Sequence, residues 1–514
     1  MSLLTRRDFM KIAGTAFAGS MLSREILSLG VGATEKPNII IILCDALSAR
    51  HLSLYGYPRL TTPNIDSFAE YSTVYHSHYS GGNFTTTGTA SMLTGMNALQ
   101  HRAINQGGLV RSEFVSRNPY SLLGADYHRF AFSQNVWSDR LIGQYAEDVD
   151  LFLSPASYSL LSDDSILTMF RKDHSLASVA IDDFLFPSQV IVPGSLLAGY
   201  VNKTKTLKNS KEQRDAFVRY PAGPPEIMIE GYLAPYLNED IYNGVYLELA
   251  KMSQRSQPYF AYFHLFSPHF PYKPRNDYLK LFKDTYRPAE KPIHSLSPGY
   301  SEDYLLSRRT LYDRQIAQLD DEFGKLLSRL KNDGVLENSY VIFTADHGEL
   351  FERGFAGHGF QFMYEGVLQI PLIIHAPGQV RRKDVFSSTG NIDILPTLLS
   401  IAGQENLPAD IDGRILPGFG GDVDNERPIF SLFGVDNPSF DVLKKGVISM
   451  RRGGHKIIAY LGYDGFDQVF ELYNLETDPD ELNNLRSKDS NTFSSMKDEL
   501  LTYLDKENEP FRKK

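Results

Sequence analysis

Cysteine occurs once in 514 residues, as Cys44. A lone thiol excludes an intrachain disulfide framework and any cysteine-rich metal site. No stretch reaches the roughly 20 consecutive apolar residues that span a bilayer, so no transmembrane segment is expected in the mature chain. Positive charge is also scarce. Lys and Arg number 52 against 62 Asp and Glu, and the formal net charge of −10 argues against a nucleic-acid partner. The acids are scattered rather than gathered in a tail, and the chain shows no internal repeat. What is present is an ordinary globular composition, 42% hydrophobic and 22% charged, in a chain too long for one small core. One large domain with a subdomain is expected.

The first residues carry an address. Arg6-Arg7 in Thr5-Arg6-Arg7-Asp8-Phe9-Met10-Lys11 precedes a short, weakly apolar run from Ile12 to Leu22. Such a pair before such a run resembles a twin-arginine export signal, read by the twin-arginine machinery and carrying folded cargo. Val31-Gly32-Ala33 supplies small residues for cleavage after Ala33, giving a signal over 1–33 and a periplasmic or secreted chain. A basic amphipathic first helix of a cytosolic protein is the other reading of these residues.

Pro37 to Asp45 is a continuous β-branched run ending in an acid, as expected of a strand buried on both faces. Ser339 to Thr344, Tyr259 to Leu265 and Leu372 to Ala376 are further strands. Asn64 to Tyr71 and Tyr304 to Leu330 show helical periodicity, the latter through Leu311, Ile316, Leu319, Phe323 and Leu327. Strands alternating with helices predict an α/β fold around a largely parallel sheet. This domain is expected over residues 36–416, with loops and helices inserted over the sheet at about 151–256. After the glycine-rich Pro417 to Gly421, short strands at Gly446–Met450, His455–Tyr460 and Val469–Tyr473 precede a helix from about Asn491 to Leu504. That pattern predicts a C-terminal α+β subdomain over 422–514, with a small antiparallel sheet.

Reactive side chains concentrate at three distant places: Asp45, the polar turn from Ser80 to Thr89, and Asp346-His347. In open α/β sheets ligands sit beyond the carboxyl ends of strands, where both acids fall. Carboxylate, hydroxyl and imidazole donors together suit one divalent cation, Zn, Mn, Mg or Ca. A cation on a threonine hydroxyl lowers its pKa and makes it an attacking group near neutral pH. Ala90 to Gly95 reads as the start of a helix, whose N-terminus offers N–H groups to an anion. Each signal alone is ordinary; their joint pattern is not.

That pattern resembles the sulfatase family of the alkaline phosphatase superfamily. The matches run in order: Pro37 to Asp45, Tyr55-Gly56-Tyr57, Thr62 to Asp66, Leu93-Thr94-Gly95 and Ser267 to Tyr272. Tyr312-Asp313, Leu319 to Asp321, Thr344 to Glu349, Gly357-His358-Gly359, Tyr364-Glu365 and Ile370 to Ile374 follow. Asp393 to Thr397 and Glu471 to Pro479 complete the set. The resemblance implies an alkaline-phosphatase-like sheet between helices, a sulfate or phosphate ester substrate and a metal ion. His269, in a His-x-Pro-like loop, is placed to donate to a substrate oxygen or protonate the leaving group, and His358, between glycines, to face the anion or a second metal.

The departures carry the rest. The family's Cys or Ser, converted to formylglycine, aligns with Thr85 when counted back from Gly95, so no formylglycine is expected. Thr89 stands in place of the supporting arginine, Asp45-Ala46 in place of paired acids, and Phe360-Gln361-Phe362 where a lysine is expected. Asp45, Thr85, Asp346 and His347 resemble the metal set of the family's threonine-dependent branch. The expected function is hydrolysis of sulfuric or phosphoric esters through Thr85. Phosphodiesterase or phosphotransferase activity of the phosphoethanolamine or phosphoglycerol transferase type is an alternative. A silent protein that binds sulfated or phosphorylated glycans is the third.

Overall fold

Five of the seven residues in Asn38–Cys44 (β1) are isoleucine or leucine, and every one after Asn38 is buried. Such a strand needs cover on both faces and both edges, and β1 has it. The computed structural model describes residues 36–160, 214–229, 232–404, 407–435 and 441–512, so the export signal expected over 1–33 lies outside the described residues. The other strands of the central sheet are Thr73–Tyr75 (β2), His128–Ser133 (β3), Leu151–Leu153 (β4) and Tyr259–Leu265 (β5). Ser339–Thr344 (β6), Leu372–His375 (β7) and Lys383–Val385 (β8) complete it. The order across the eight strands is β8-β2-β7-β6-β1-β5-β3-β4, and only β7 runs antiparallel to its neighbours. The α/β class and largely parallel sheet are as the sequence predicts.

Alternation along β1 divides the core into two layers. Ile40, Ile42 and Cys44 pack under Asn238–Met252 (α4) and Glu302–Asn332 (α5), with Pro63–Ala69 (α1) beside them. Ile39, Ile41 and Leu43 face Thr85–Thr94 (α2), Val136–Gly143 (α3) and Ile394–Ile401 (α6). Helix α5 is capped by Ser301, whose hydroxyl accepts from Tyr304 N, and carries Glu302 and Asp303 in its first turn. Of the stretch 151–256 read as an insertion, residues 161–213 and 230–231 lie outside the described residues. Its flanks belong to the central unit, since β4 pairs with β3 and α4 packs on the sheet. Strands β2, β4 and β8, three residues each, are too short to show a period in the sequence.

The C-terminal sheet is an antiparallel meander of Ile429–Gly434 (β9), Gly446–Arg452 (β10), His455–Leu461 (β11) and Val469–Asn474 (β12). Three of its strands are legible in the sequence; β9 is not. Ser490–Arg512 (α7) covers one face through Met496 and Leu500. It outruns the predicted helix because its last turns dock on Arg102, whose guanidinium lies 3.8 Å from the Phe511 ring centre and donates to Glu507 O at 2.7 Å. Strand β9 also supports the polar turn: Leu432 N donates to Gly81 O at 2.9 Å and the Ser431 hydroxyl to Ser80 O at 2.6 Å.

The other face is pinned by buried charge. Lys456 of β11 is 1% exposed and lies 2.9 Å from Glu365 and against Glu481, while Arg451 reaches Glu365 at 3.2 Å. Burial disfavours the Glu365 carboxylate, yet Lys456 and Arg451 outweigh it and bring it down to about 2. Because the folded value lies below the unfolded one, this contribution to stability is present above about pH 4.5 and lost as pH falls toward 2. Lys456→Met, which leaves two buried carboxylates short of a cation, is expected to cost about 3–5 kcal/mol in chemical denaturation. An unchanged midpoint would show that the cluster does not hold the two units together.

Candidate active site

Strands β3, β5, β1 and β6 are parallel neighbours, and their carboxyl ends deliver polar side chains to one place. Asp45 follows β1, Asp346 and His347 follow β6, and Asn135 follows β3. His264 is the penultimate residue of β5. Sequence reasoning missed His264 and Asn135. One sits inside an apolar run and the other follows a strand not recognised in the sequence. The available signal was a polar residue at the end of a strand parallel to β1.

Asp45, Asp346 and His347 are fully buried, and one ligand atom from each lies within 4.8 Å of the other two. Each carboxylate has one oxygen supplied with donors. Asp346 Oδ1 accepts from Ala46 N at 3.2 Å and His347 N at 2.9 Å. Asp45 Oδ2 accepts from Asn135 Nδ2 at 2.6 Å and lies 3.2 Å from His264 Nε2. The second oxygens, Asp45 Oδ1 and Asp346 Oδ2, have no hydrogen-bond partner. Bare carboxylate oxygens in a buried site are costly unless a cation or donor meets them. The His347 ring points the same way. Its Nδ1 donates to Gly348 O at 2.8 Å, which leaves Nε2 facing Asp45 Oδ1 at 3.4 Å and Asp346 Oδ2 at 3.6 Å.

Burial works against a charged His347, yet the Asp346 and Asp45 carboxylates outweigh it and push the ring up to about 9. Asp45 is held well below the carboxylate range against its own burial, through His269 first and then His264 and His347. The site calls for positive charge, and two carboxylates with an imidazole fit a divalent ion.

Helix α2 begins at Thr85 itself, not near Ala90 as the sequence implied. Threonine and glycine are poor helix formers, but all ten residues of α2 are buried and packing overrides propensity. Thr85 Oγ1 accepts from Asn135 Nδ2 at 3.1 Å and lies 3.5 Å from His347 Nε2. Asn135 therefore bridges Asp45 and Thr85 while its Oδ1 caps α3 by accepting from Trp137 N at 2.8 Å. The Ser80 hydroxyl donates to the Asp346 carbonyl, and Thr86 is fully buried. Of these three hydroxyl residues only Thr85 lines the neighbouring cavity of about 640 Å³, together with His269 and His358. Asn135→Ser keeps a capping oxygen for α3 but loses the bridging amide. It is expected to weaken metal binding about 10–100-fold in calorimetric titration, as loss of an outer-shell partner does. Unaltered affinity would show that Asp45 is oriented without it.

Three histidine rings form a row. His358 lies 4.4 Å from His347 and 4.6 Å from His269, centre to centre. His358 Nδ1 meets the buried Glu349 Oε1 at 2.9 Å. Burial would raise Glu349, but His358, then His269 and His347, hold it below its ordinary value. His269, half-buried with Nδ1 on Phe270 O, is lowered by burial and by His358 against the pull of Asp45. Asp313, by contrast, is scaffold: it receives His51 at 2.6 Å, Tyr57 at 2.7 Å and Arg59 at 2.7 Å. Tyr312 donates to Ala46 O at 2.6 Å and steadies the turn after Asp45, where Ala46 adopts a φ of 60°.

Residues 37–125 and 195–404 match the family model described as Sulfatase, and 354–509 match that of the N-sulphoglucosamine sulphohydrolase C-terminal region. An arylsulfatase of Clostridium perfringens is 24% identical over 490 residues, covering 88% of this chain and 90% of its own. A choline-sulfatase of Rhizobium meliloti is 24% identical over 502 residues, covering 92% and 88%. The solved phosphonate monoester hydrolase of Agrobacterium radiobacter superposes with a TM-score of 0.65 at 19% identity, over 92% of this chain and 96% of that one.

Proposed function

Because this chain belongs to the sulfatase family, whose members are metal-dependent ester hydrolases, we propose that it cleaves sulfuric or phosphoric esters by attack of Thr85. The observation that carries this reading is the placement of Thr85 Oγ1, bridged by Asn135 to Asp45 and 3.5 Å from His347, at the wall of the cavity. Asp45, Asp346 and His347 would hold one divalent ion, with Thr85 beside it. Such an ion lowers the pKa of a hydroxyl and draws charge from a sulfuryl or phosphoryl oxygen.

The chain's own residues supply the remainder. Once its hydroxyl proton has passed to solvent, Thr85 Oγ1 is held by the donation from Asn135 and bonds to the sulfur or phosphorus as the bond to the departing oxygen breaks. His358, backed by the Glu349 carboxylate, is the proton donor to the departing oxygen. In the second half of the reaction the same ring takes a proton from the attacking water. His269 also lines the cavity, with Nδ1 donating to Phe270 O and its ring 4.6 Å from that of His358. Threonine at this position leaves formylglycine chemistry unavailable there.

The experiment is a panel of aryl sulfate, phosphate monoester and phosphate diester, with the stalled enzyme digested for mass spectrometry. A sulfo or phospho group on the peptide carrying Thr85 is the expected result, and the substrate that leaves it identifies the ester. An adduct on Ser80 or Thr86, or turnover without any adduct, would overturn the assignment.

A further inference from the structure

Asp45 and Asp346 divide their oxygens unevenly. A carboxylate oxygen has two lone pairs to offer. Asp346 Oδ1 uses both, on Ala46 N at 3.2 Å and His347 N at 2.9 Å. Asp45 Oδ2 uses one on Asn135 Nδ2 at 2.6 Å and the other on His264 Nε2 at 3.2 Å. Asp45 Oδ1 and Asp346 Oδ2 use none on a hydrogen bond. Each acid is thus left with one free oxygen. With His347 Nε2 and Thr85 Oγ1 beside them, the chain presents four donor atoms, one of them nitrogen.

His264 is held to this task by the sheet. Its main chain pairs with Leu43 of β1, and Asp45 N donates to Leu265 O at 2.8 Å, so register sets the ring beside the Asp45 carboxylate. The ring is fully buried, and Nε2 lies 3.6 Å from Asp346 Oδ2, beyond hydrogen-bond reach. Carboxylate oxygens only accept, so Nε2 carries a proton. Nδ1 is left to accept from the Tyr262 hydroxyl at 3.0 Å, two residues back on the same face of β5. We propose that His264 is a specificity-determining residue for the metal: by filling the last lone pair of Asp45 Oδ2 it confines Asp45 to a single donor oxygen, which turns the centre against Ca²⁺ and toward an ion of the zinc type. Ca²⁺ takes about six to eight oxygens, often two from one carboxylate, whereas Zn²⁺ is commonly satisfied by about four donors and accepts imidazole. The inference rests on the reading of Asp45, Asp346 and His347 as an ion site. It is independent of which group attacks the ester.

The full chain, stripped with a chelator, would be titrated calorimetrically with Zn²⁺ and with Ca²⁺, alongside a melting curve for each protein. His264→Leu fills the space without a donor and frees a lone pair on Asp45 Oδ2. It is expected to bind Ca²⁺ at least about threefold more tightly than the parent and Zn²⁺ about 10–100-fold more weakly, as loss of an outer-shell partner does. His264→Gln, whose amide nitrogen reaches about as far as Nε2, should keep the parental preference. Tighter Ca²⁺ is the deciding sign, because neither loss of a direct ligand nor a merely structural defect produces it. His264→Asn, too short to reach Asp45, is read in place of His264→Leu if the latter does not melt cooperatively. Ca²⁺ binding unchanged or weaker in the folded His264→Leu or His264→Asn protein would overturn the proposal, as would the same change in His264→Gln. Failure of the parent to bind either ion would overturn the ion site itself, and the proposal with it.

Discussion

Thr85→Ala is expected to lower turnover by on the order of 10³- to 10⁶-fold, the range seen when a nucleophile is deleted from an otherwise intact site. The fold should survive. Alanine keeps Cβ and is a better helix former than threonine at the start of α2. The lost acceptor for Asn135 is one hydrogen bond, worth about 1 kcal/mol. Asp45, Asp346 and His347 are untouched, so metal content should remain close to that of the parent protein. The measurements are kcat on the best ester of the panel, a melting curve and bound metal per chain. Thr85→Ser, which retains a hydroxyl, should keep measurable turnover. Wild-type kcat in the alanine protein would remove Thr85 from the chemistry.

Gly88→Ala tests how the nucleophile is placed rather than what it is. Gly88 lies one helical turn beyond Thr85, against the backbone that carries the candidate ligands. An added Cβ would come to 2.2 Å from Asp346 O and 2.9 Å from its carbonyl carbon. These are backbone atoms and cannot rotate aside. Helix α2 must therefore retreat by about 1 Å, and a misplacement of that size costs about 10²-fold in rate. Stability changes less. Overpacking costs about 1–3 kcal/mol, while replacing a helical glycine returns about 1 kcal/mol. Activity is expected to fall about 100-fold with bound metal retained and only a modest drop in melting temperature. Full activity would mean that the spacing between α2 and the end of β6 does not control the reaction.

Much of the scaffold was legible because it is written in periodicity. The run before Asp45 and that before Asp346 read as buried strands from their β-branched and aromatic residues, and both acids fall where parallel strands end. The long amphipathic helix α5 was equally plain. Less was legible where tertiary packing overrides local preference. A threonine- and glycine-rich segment becomes helix only because every residue of α2 is buried. Strand β9 has no clean alternation, and its role is to hold the polar turn through Leu432 and Ser431.

The sequence by itself determined the α/β class and the C-terminal antiparallel sheet, because order along the chain suffices for these, and through the family resemblance it put forward Asp45, Thr85, Asp346 and His347. Only the tertiary structure decided which atoms meet. Asp45 and Asp346 each turn one bare oxygen toward His347, and Asn135 ties Asp45 to Thr85, though these residues are scattered over some 300 positions. His358 gained its carboxylate partner, Glu349, only through the hairpin between them. Such contacts depend on how elements distant in the chain pack against one another, which no local pattern encodes.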